Sequence, residues 1–258
     1  MPFETTLPAG AALVFGGSGG IGRVVATEFA AAGSDVAVCY RSRPEIAEKT
    51  ATDLRELGVA ATIHRVDVRD ADELAAAVDG AIAEHSRIHT LVWCAGPVVE
   101  QNSLADTSAD DYRRSIEIES LGMFGAVHAV LPHMREHGGG SVVHVGSAGD
   151  RLFPPHDGLS VLPKAANEAL VRGIAREEGR HGIRANSVLV GVVEAGMFLA
   201  LRERGVLDEK WESATRAMLP LRRYGKAEDI AAACVFLASD RANYITGEQL
   251  SVAGGFGV

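Results

Sequence analysis

The sequence has few cysteines, and they are widely separated. Cys39, Cys94 and Cys234 are the only three among 258 residues. Their odd number and spacing predict neither a disulfide framework nor a metal site. We therefore expect buried thiols in a reducing, cytoplasmic setting, and no bound metal.

A basic excess and a long apolar run are also missing. Lys and Arg number 25 against 34 Asp and Glu, which gives a formal net charge of −9. Because nucleic acids and anionic membranes attract basic surfaces, neither is predicted as a partner. No stretch reaches the about 20 apolar residues of a membrane-spanning helix. Residues 1–10 lack the basic segment and cleavage pattern of an export signal, so none is expected.

The sequence does contain a regular alternation of short apolar runs with helical periodicity. Alternating βα units predict a single domain over residues 1–258 with a Rossmann-type α/β fold, a doubly wound parallel seven-stranded sheet with helices on both faces. The alternation breaks over about residues 192–222, where we expect a mobile lid over an active-site cleft. Strands are predicted at 11–15, 35–40, 61–66, 90–94, 141–145, 184–190 and 249–252, and helices at 20–32, 44–57, 70–85, 108–135, 160–180 and 226–239.

A glycine-rich turn follows the first predicted strand and precedes the first predicted helix. Glycine permits a tight turn and lets the backbone approach a pyrophosphate, whose charge then faces the first amides of the helix. The pattern predicts dinucleotide binding, although a glycine-rich turn without a ligand would look the same. The candidate contacts in this turn are Gly16, Ser18, Gly20, Ile21 and Gly22.

The end of the second strand predicts the type of dinucleotide. An acidic residue there would bind the ribose 2′-hydroxyl of NAD, whereas an arginine suits the 2′-phosphate of NADP. Arg41 and Arg43 follow this strand, while Asp35 lies at its other end. Arg41 therefore favours NADP(H) over NAD(H); the alternative interpretation is a solvated surface charge.

Further motifs, read together with the glycine turn, resemble those of the short-chain dehydrogenase/reductase family over essentially the whole chain. They are Asp67-Val68, Ala95-Gly96, Ser147 with Lys164, and the segment from Tyr244 to Gly255. The resemblance is strongest to 3-oxoacyl-carrier-protein reductase-like members.

This resemblance implies a set of roles. Ser147 and Lys164 would be the catalytic serine and lysine, with Lys164 also binding the nicotinamide ribose. The substrate would be a small or acyl-linked carbonyl compound. The protein would be a homodimer or homotetramer that packs through the helices predicted at 108–135 and 160–180 and through the last strand. The other implied cofactor contacts are Asp67, Val68, Ala95, Gly96, Gly191 and Val193.

Several positions depart from the family pattern. Ser160 stands where the family has its catalytic tyrosine, and Glu119 where it has an asparagine. Phe15 replaces a threonine, and Trp93 and Cys94 replace two asparagines. Replacing both partners of a polar pair by apolar groups can be nearly neutral, so Phe15 and Trp93 are predicted to be linked changes. Trp93 could instead crowd the ribose pocket.

Ser160 cannot supply the proton that the family's tyrosine supplies. A phenol has a pKa of about 10, which an adjacent ammonium can lower, whereas an aliphatic hydroxyl is far less acidic and its side chain is shorter. Two roles stay open for Ser160: a helix cap just ahead of Pro163, or a direct catalytic role. Lys164 lies one helical turn further on, as a site residue or an ordinary surface lysine.

Glu119 belongs to a predicted inward-facing helical stripe. A carboxylate in such a place must be paired, hydrated or protonated. Three interpretations stay open: an ion pair with Lys164, a catalytic acid or base that replaces the tyrosine, and a solvated face. The other members of the stripe are Tyr112, Ile116, Met123, Val127 and Val130.

Four other protic side chains lie nearby in the sequence. Asp150, His156 and Asp157 fall between Ser147 and Ser160, and we expect ordinary loop residues rather than relocated acids there. His144 lies within a strand and is expected to be a core residue with its hydrogen bonds satisfied.

Three functions are compatible with this pattern. The favoured one is an NADP(H)-dependent reductase with a non-standard proton donor. A second is a dehydratase, isomerase or cyclase that uses Glu119 and Lys164 as base and acid. A third is a catalytically silent, cofactor-binding subunit.

Overall fold

The predicted strands form one parallel, seven-stranded sheet in the order β3-β2-β1-β4-β5-β6-β7. The structure is a computed structural model that describes residues 6–258. The export-signal expectation therefore lies partly outside the described residues. The strands are β1 (Ala11–Phe15), β2 (Asp35–Tyr40), β3 (Ala61–Arg65), β4 (Ile88–Trp93), β5 (Gly140–Ser147), β6 (Ile183–Val190) and β7 (Gln249–Val252).

Helices cover both faces of this sheet, which confirms the doubly wound α/β fold. Val14, Val38 and Val92 face one layer, made by α1, α2 and α9. Leu13 and Leu91, from neighbouring positions of the same strands, face the other layer, made by α3, α5 and α6. The helices are α1 (Gly20–Ala31), α2 (Pro44–Glu56), α3 (Ala71–His85), α4 (Ala109–Ile116), α5 (Gly122–Glu136), α6 (Gly158–Glu178), α7 (Met197–Glu203), α8 (Glu209–Met218) and α9 (Ala227–Ala238).

The fourth predicted helix is interrupted by a five-residue π-turn at Glu117–Leu121, between α4 and α5. The Ser108 hydroxyl caps α4 by accepting from the Asp111 amide at 3.0 Å. The π-turn has more residues per turn than an α-helix, so it changes which face of α4 is buried. Ser115 is therefore buried and Tyr112 is 41% exposed. The predicted inward stripe is therefore wrong at Tyr112, although it holds from Glu119 onwards.

The start of α6 also differs from the prediction. The helix begins two residues before Ser160, so Ser160 is not its cap. Pro163 lies in the second turn, where its missing N–H leaves the Leu159 carbonyl without a helical donor. The Ser115 hydroxyl donates to that carbonyl instead. A donor from another helix thus compensates for the proline, which local sequence patterns could not reveal.

The segment predicted as a lid contains α7 and α8. Phe198 packs edge-on against Tyr224 at 5.1 Å and tilted against Trp211 at 6.3 Å, so these aromatic rings pack on one another. The Arg204 guanidinium binds the Glu100 carboxylate at 2.7 Å and so joins α7 to the loop after β4. The predicted mobility of this segment stays a prediction. In residues 6–258, no helix has the length and hydropathy to cross a membrane.

Candidate active site

The glycine turn lies at the carboxyl end of β1, where the sheet order changes direction between β2 and β4. Open α/β sheets bind ligands in the crevice at such a point. Gly16 has φ +77°, and its carbonyl accepts from the Gly19 amide at 2.8 Å. The α1 helix that follows has neither a side-chain cap nor an acidic residue in its first turn. Its first amides are therefore available to an anion.

The glycines of this turn are held by close backbone packing. A Cβ on Gly22 would lie 2.8 Å from the Gly16 carbonyl carbon and 3.2 Å from the Gly17 Cα. Gly16 in turn lies against the carbonyl of Cys94 and the amide of Ala95, directly after β4. Close packing against the protein's own backbone therefore accounts for these glycines. Of the other candidates here, Ser18 is buried and Ile21 is half-buried.

The candidate adenosine end has a more complex arrangement than the sequence suggests. Both carboxylate oxygens of Asp67 bind Arg69, with Oδ1 2.9 Å from its Nε. This hydrogen-bonded pair, aided by the charge of Arg41, lowers the pKa of Asp67 to about 2. An adenine contact from the Asp67 side chain would have to displace Arg69, which the sequence did not indicate. Arg41 is exposed, and Val68 is half-buried beside Asp67.

Phe15 and Trp93 are neighbours in the sheet, as the linked-change prediction requires. They pair across β1 and β4, their ring centroids lie 5.2 Å apart, and both side chains are fully buried. Trp93 points into the core layer of α3, α5 and α6. The possibility that it crowds the ribose pocket stays a prediction, since Val68 and Ala95, two implied cofactor contacts, belong to the same cluster. Its indole N–H has no hydrogen-bond partner within residues 6–258.

Glu119 and Lys164 form a buried ion pair, the first of the three interpretations of Glu119. The Lys164 Nζ donates to Glu119 Oε1; the Glu119 side chain is 2% exposed and that of Lys164 is 19% exposed. The Glu119 Oε2 atom has no partner among the described residues. A solvated Glu119 is thereby excluded, and Lys164 is not an ordinary surface lysine.

The segment after β4 packs directly on this ion pair. A Cβ on Gly96 would collide with the Glu119 Oε1 atom, so glycine is needed for the carboxylate to reach Lys164. Cys94, two residues earlier, is half-buried, while Cys39 and Cys234 are buried. Burial raises the pKa of the Cys94 thiol well above its usual value, and the Cys234 thiol and the Glu119 charge raise it further. All three thiols are free, as expected.

The remaining candidate residues lie around the carboxyl ends of β5 and β6. Ser147 ends β5, is half-buried, and accepts from the Gly149 amide at 3.1 Å. Ser160 is buried in the first turn of α6, one turn before Lys164. Gly191 follows β6, and Val193 is buried with its carbonyl bound by the Ala195 amide at 2.7 Å.

His144 is the satisfied core residue that the sequence predicts. It is fully buried, and its Nδ1 lies 3.0 Å from Glu168 Oε1. The Asn167 amide lies 3.4 Å from the other ring nitrogen and donates to the Glu119 carbonyl at 3.1 Å. The His144–Glu168 pair therefore supports the π-turn indirectly.

Comparison with known proteins decides the family. A family profile described as Enoyl-(Acyl carrier protein) reductase matches residues 16–257. The 3-oxoacyl-(acyl-carrier-protein) reductase FabG of Staphylococcus aureus is 31% identical over 244 residues, covering 95% of this chain and 96% of the relative. This chain belongs to the short-chain dehydrogenase/reductase family.

Solved structures of similar proteins agree with this short-chain dehydrogenase/reductase fold. A 7α-hydroxysteroid dehydrogenase complexed with NADH and 7-oxo glycochenodeoxycholic acid matches with a TM-score of 0.89 and 30% identity, covering 97% of this chain and 95% of that one. A blue fluorescent protein from a metagenomic library, in complex with NADPH, matches with a TM-score of 0.87 and 32% identity, covering 96% and 98%.

No tyrosine of this short-chain dehydrogenase/reductase takes the place left by Ser160. Tyr40 ends β2, Tyr112 lies on the outer face of α4, and Tyr244 is 99% exposed. The Tyr224 hydroxyl donates to the Glu212 carbonyl in the segment after β6. A phenol is therefore not the proton donor at the position four residues before Lys164.

Asp157 lies in the loop before α6, as the sequence predicts. It occupies the position immediately before the helix and is half-buried. Gln101, from the loop after β4, donates its amide to Asp157 Oδ1 at 3.1 Å. This contact joins two distant loops, and no local sequence pattern indicates it.

Proposed function

We propose that this protein is an NADP(H)-dependent reductase of a small or acyl-linked carbonyl compound, with a proton donor other than tyrosine. The observation that carries the proposal is the conjunction of an uncapped, glycine-cradled α1 terminus with Lys164 and Ser147 at the same edge of the sheet. Family membership and the NADPH- and NADH-bound neighbours support it.

The residues present fit a nicotinamide dinucleotide. Gly16, Gly20 and Gly22 would hold the pyrophosphate, because the turn leads into an α1 terminus with no side-chain cap and no acidic residue in its first turn. Ala95, Gly96 and the loop from Gly191 to Val193 would border the ribose and nicotinamide. The bound cofactor supplies a hydride; the protein supplies position and a proton.

Arg41 is the residue proposed to choose NADPH over NADH. It is exposed directly after β2, and its charge reaches Asp67 at the end of the neighbouring strand. A guanidinium there can form charge-assisted hydrogen bonds with a 2′-phosphate. The three residues directly after β2 include no acidic residue that could bind a free 2′-hydroxyl.

The Glu119–Lys164 pair has a positioning role in this proposal. The Glu119 carboxylate binds the Lys164 ammonium from the side of the π-turn and fixes it over the cleft. Lys164 would then hold the nicotinamide ribose, and Ser147 would orient the substrate carbonyl. Ser160 lines the space that a tyrosine would fill without supplying the proton.

Rapid-mixing measurement of NADPH oxidation tests this function against a panel of ketones and 3-oxoacyl thioesters. We expect single-turnover oxidation with at least one member and weaker binding of NADH. Absence of both turnover and NADPH binding contradicts the proposal. Binding without turnover favours the silent subunit, and substrate conversion without a change in NADPH favours a dehydratase, isomerase or cyclase.

We also propose a homodimer or homotetramer. Leu121 and Phe124 on the outer side of the π-turn and α5 are 59% and 56% exposed, and Leu162 on α6 is 37% exposed. Such apolar groups on neighbouring helices are typical of an interface. Light scattering after size exclusion measures the assembly, and Phe124→Glu is expected to shift it towards monomer.

A further inference from the structure

The missing tyrosine leaves the proposed reductase without an assigned acid. We propose that Asp157 is that acid: its carboxyl group protonates the oxygen of the substrate carbonyl. This assignment rests on the proposed function and names the residue that completes it.

Asp157 lies between the two loops that border the cleft. Gln101, from the loop after β4, binds its Oδ1 at 3.1 Å. Its own amide donates to the Pro154 carbonyl at 3.4 Å, in the loop that follows β5 and Ser147. The carboxyl group therefore lies above the carboxyl ends of β4 and β5, where the carbonyl substrate must approach Ser147.

The first turns of α6 place Asp157 on the same side as the other site residues. Asp157 directly precedes the helix, Ser160 follows three residues later, and Lys164 four residues after that. Ser160 and Lys164 share one face of the helix, and the charge of Lys164 reaches Asp157. Ser160, between these two positions in the sequence, is buried.

The environment of Asp157 differs from that of Glu119. Half-burial raises the pKa of the Asp157 carboxyl, while the Gln101 hydrogen bond and the Lys164 charge only partly oppose this rise. Asp157 has no ion-pair partner within residues 6–258. Glu119, by contrast, is paired with the Lys164 ammonium.

The proton and electron balance of the step is complete. The carbonyl carbon receives a hydride, with its electron pair, from the reduced nicotinamide that the proposed function supplies. The carbonyl π-bond breaks towards oxygen, and that oxygen takes the Asp157 proton to form the alcohol. Asp157 is left as a carboxylate and is protonated again from solvent.

The decisive variant is Asp157→Asn, because an asparagine Oδ1 still accepts the Gln101 bond. We expect unchanged NADPH binding and a fall in the hydride-transfer rate of about 10²- to 10⁴-fold, the usual range for a general acid. In the wild type the rate falls as pH rises through the Asp157 pKa, because only the protonated form donates; this limb disappears in the variant. Asp150→Asn is the matched control, since Asp150 bonds Gln249 at 2.9 Å away from the cleft.

A readout without cofactor or turnover comes from NMR titration of the aspartate side-chain ¹³C carboxyl signals in the apoprotein. We expect one signal that titrates above the ordinary aspartate range and is absent from Asp157→Asn. An Asp157 signal in the ordinary range overturns the assignment, as does an Asp157→Asn variant with the wild-type rate and pH profile.

The two failures can be told apart. If the wild type oxidises no NADPH with any carbonyl compound, the proposed function fails and the assignment fails with it. If the wild type turns over and Glu119→Gln, not Asp157→Asn, removes the pH limb, only the assignment fails.

Discussion

The two halves of the candidate site have changed to very different extents. At the glycine turn, every residue that shapes the pyrophosphate cradle fits the family pattern, and backbone atoms pack too closely for substitution. In the region formed by α4, the π-turn and the start of α6, Ser160 and Glu119 stand where the family resemblance implies a tyrosine and an asparagine.

This difference separates constraints on backbone geometry from constraints on side-chain chemistry. A pyrophosphate is bound by main-chain amides, so few sequences can form a turn that binds it. A proton can come from any carboxyl, phenol or imidazole with suitable reach and pKa, so the catalytic half can be rebuilt around a new ion pair.

Replacing Lys164, in the half of the site formed by α4, the π-turn and the start of α6 (the rebuilt half), should have the largest effect on stability. Lys164→Met leaves the carboxylate of Glu119 buried without a counter-ion, and such an uncompensated charge costs about 3–5 kcal/mol. Urea unfolding should show this loss relative to the wild type. Lys49→Met removes a lysine from an exposed pair with Asp53 and should cost below about 0.5 kcal/mol. Equal stabilities of the two variants would falsify the stabilising role of the buried pair.

Replacing Gly22, in the half of the site formed by the glycine turn (the retained half), should have the next largest effect on stability. The added methyl group of Gly22→Ala would lie 2.8 Å from the Gly16 carbonyl carbon, and overpacking of this kind costs about 1–3 kcal/mol. NADPH binding should weaken because the turn must shift. Gly173→Ala, on α6 with nothing within 4 Å, should instead stabilise by up to about 1 kcal/mol. Unaltered NADPH affinity in Gly22→Ala would mean that the turn does not contact the cofactor.

The sequence predicts the fold almost completely because apolar periodicity is a local property. The bounds of β1, β2 and β7 agree with the structure, and the other strands differ by one or two residues at one or both ends. The alternation of Leu13 and Val14 between two layers follows from the same pattern.

The rebuilt half is predicted less well because its geometry depends on contacts between distant segments. The π-turn that buries Ser115 and exposes Tyr112 has no sequence signature, and the Ser115 hydroxyl allows Pro163 to lie inside α6. The Gln101–Asp157 bond joins residues 56 apart in sequence. The Glu119–Lys164 contact was predictable only through the family resemblance.

The choice between NADPH and NADH is expected to depend on Arg41, at the adenosine end of the retained half. Arg41→Ala should weaken NADPH binding by about tenfold, the loss of roughly one charge-assisted hydrogen bond, and leave NADH binding unchanged. Comparing 2′,5′-ADP with 5′-AMP by calorimetry isolates the phosphate from the rest of the cofactor. A loss of affinity for both nucleotides to the same extent would assign Arg41 to the fold and not to the 2′-phosphate.

The smallest effect is expected at the Asp67–Arg69 pair beside Arg41. The Asp67 pKa of about 2 lies below the about 3.9 of an unfolded aspartate, so its contribution to stability is present above about pH 4 and is lost as pH falls towards 2. Arg69 is 45% exposed, and solvent screening limits this contribution to below about 1 kcal/mol. Arg69→Ala should therefore lower the unfolding free energy slightly at pH 7, with a difference that shrinks at about pH 3.

Arg43→Ala, which removes an arginine without an ion pair in the described chain, should show no such pH dependence. If Arg69→Ala strengthens NADPH binding, the pair competes with adenine for the Asp67 carboxylate, and even the retained half carries one rebuilt contact.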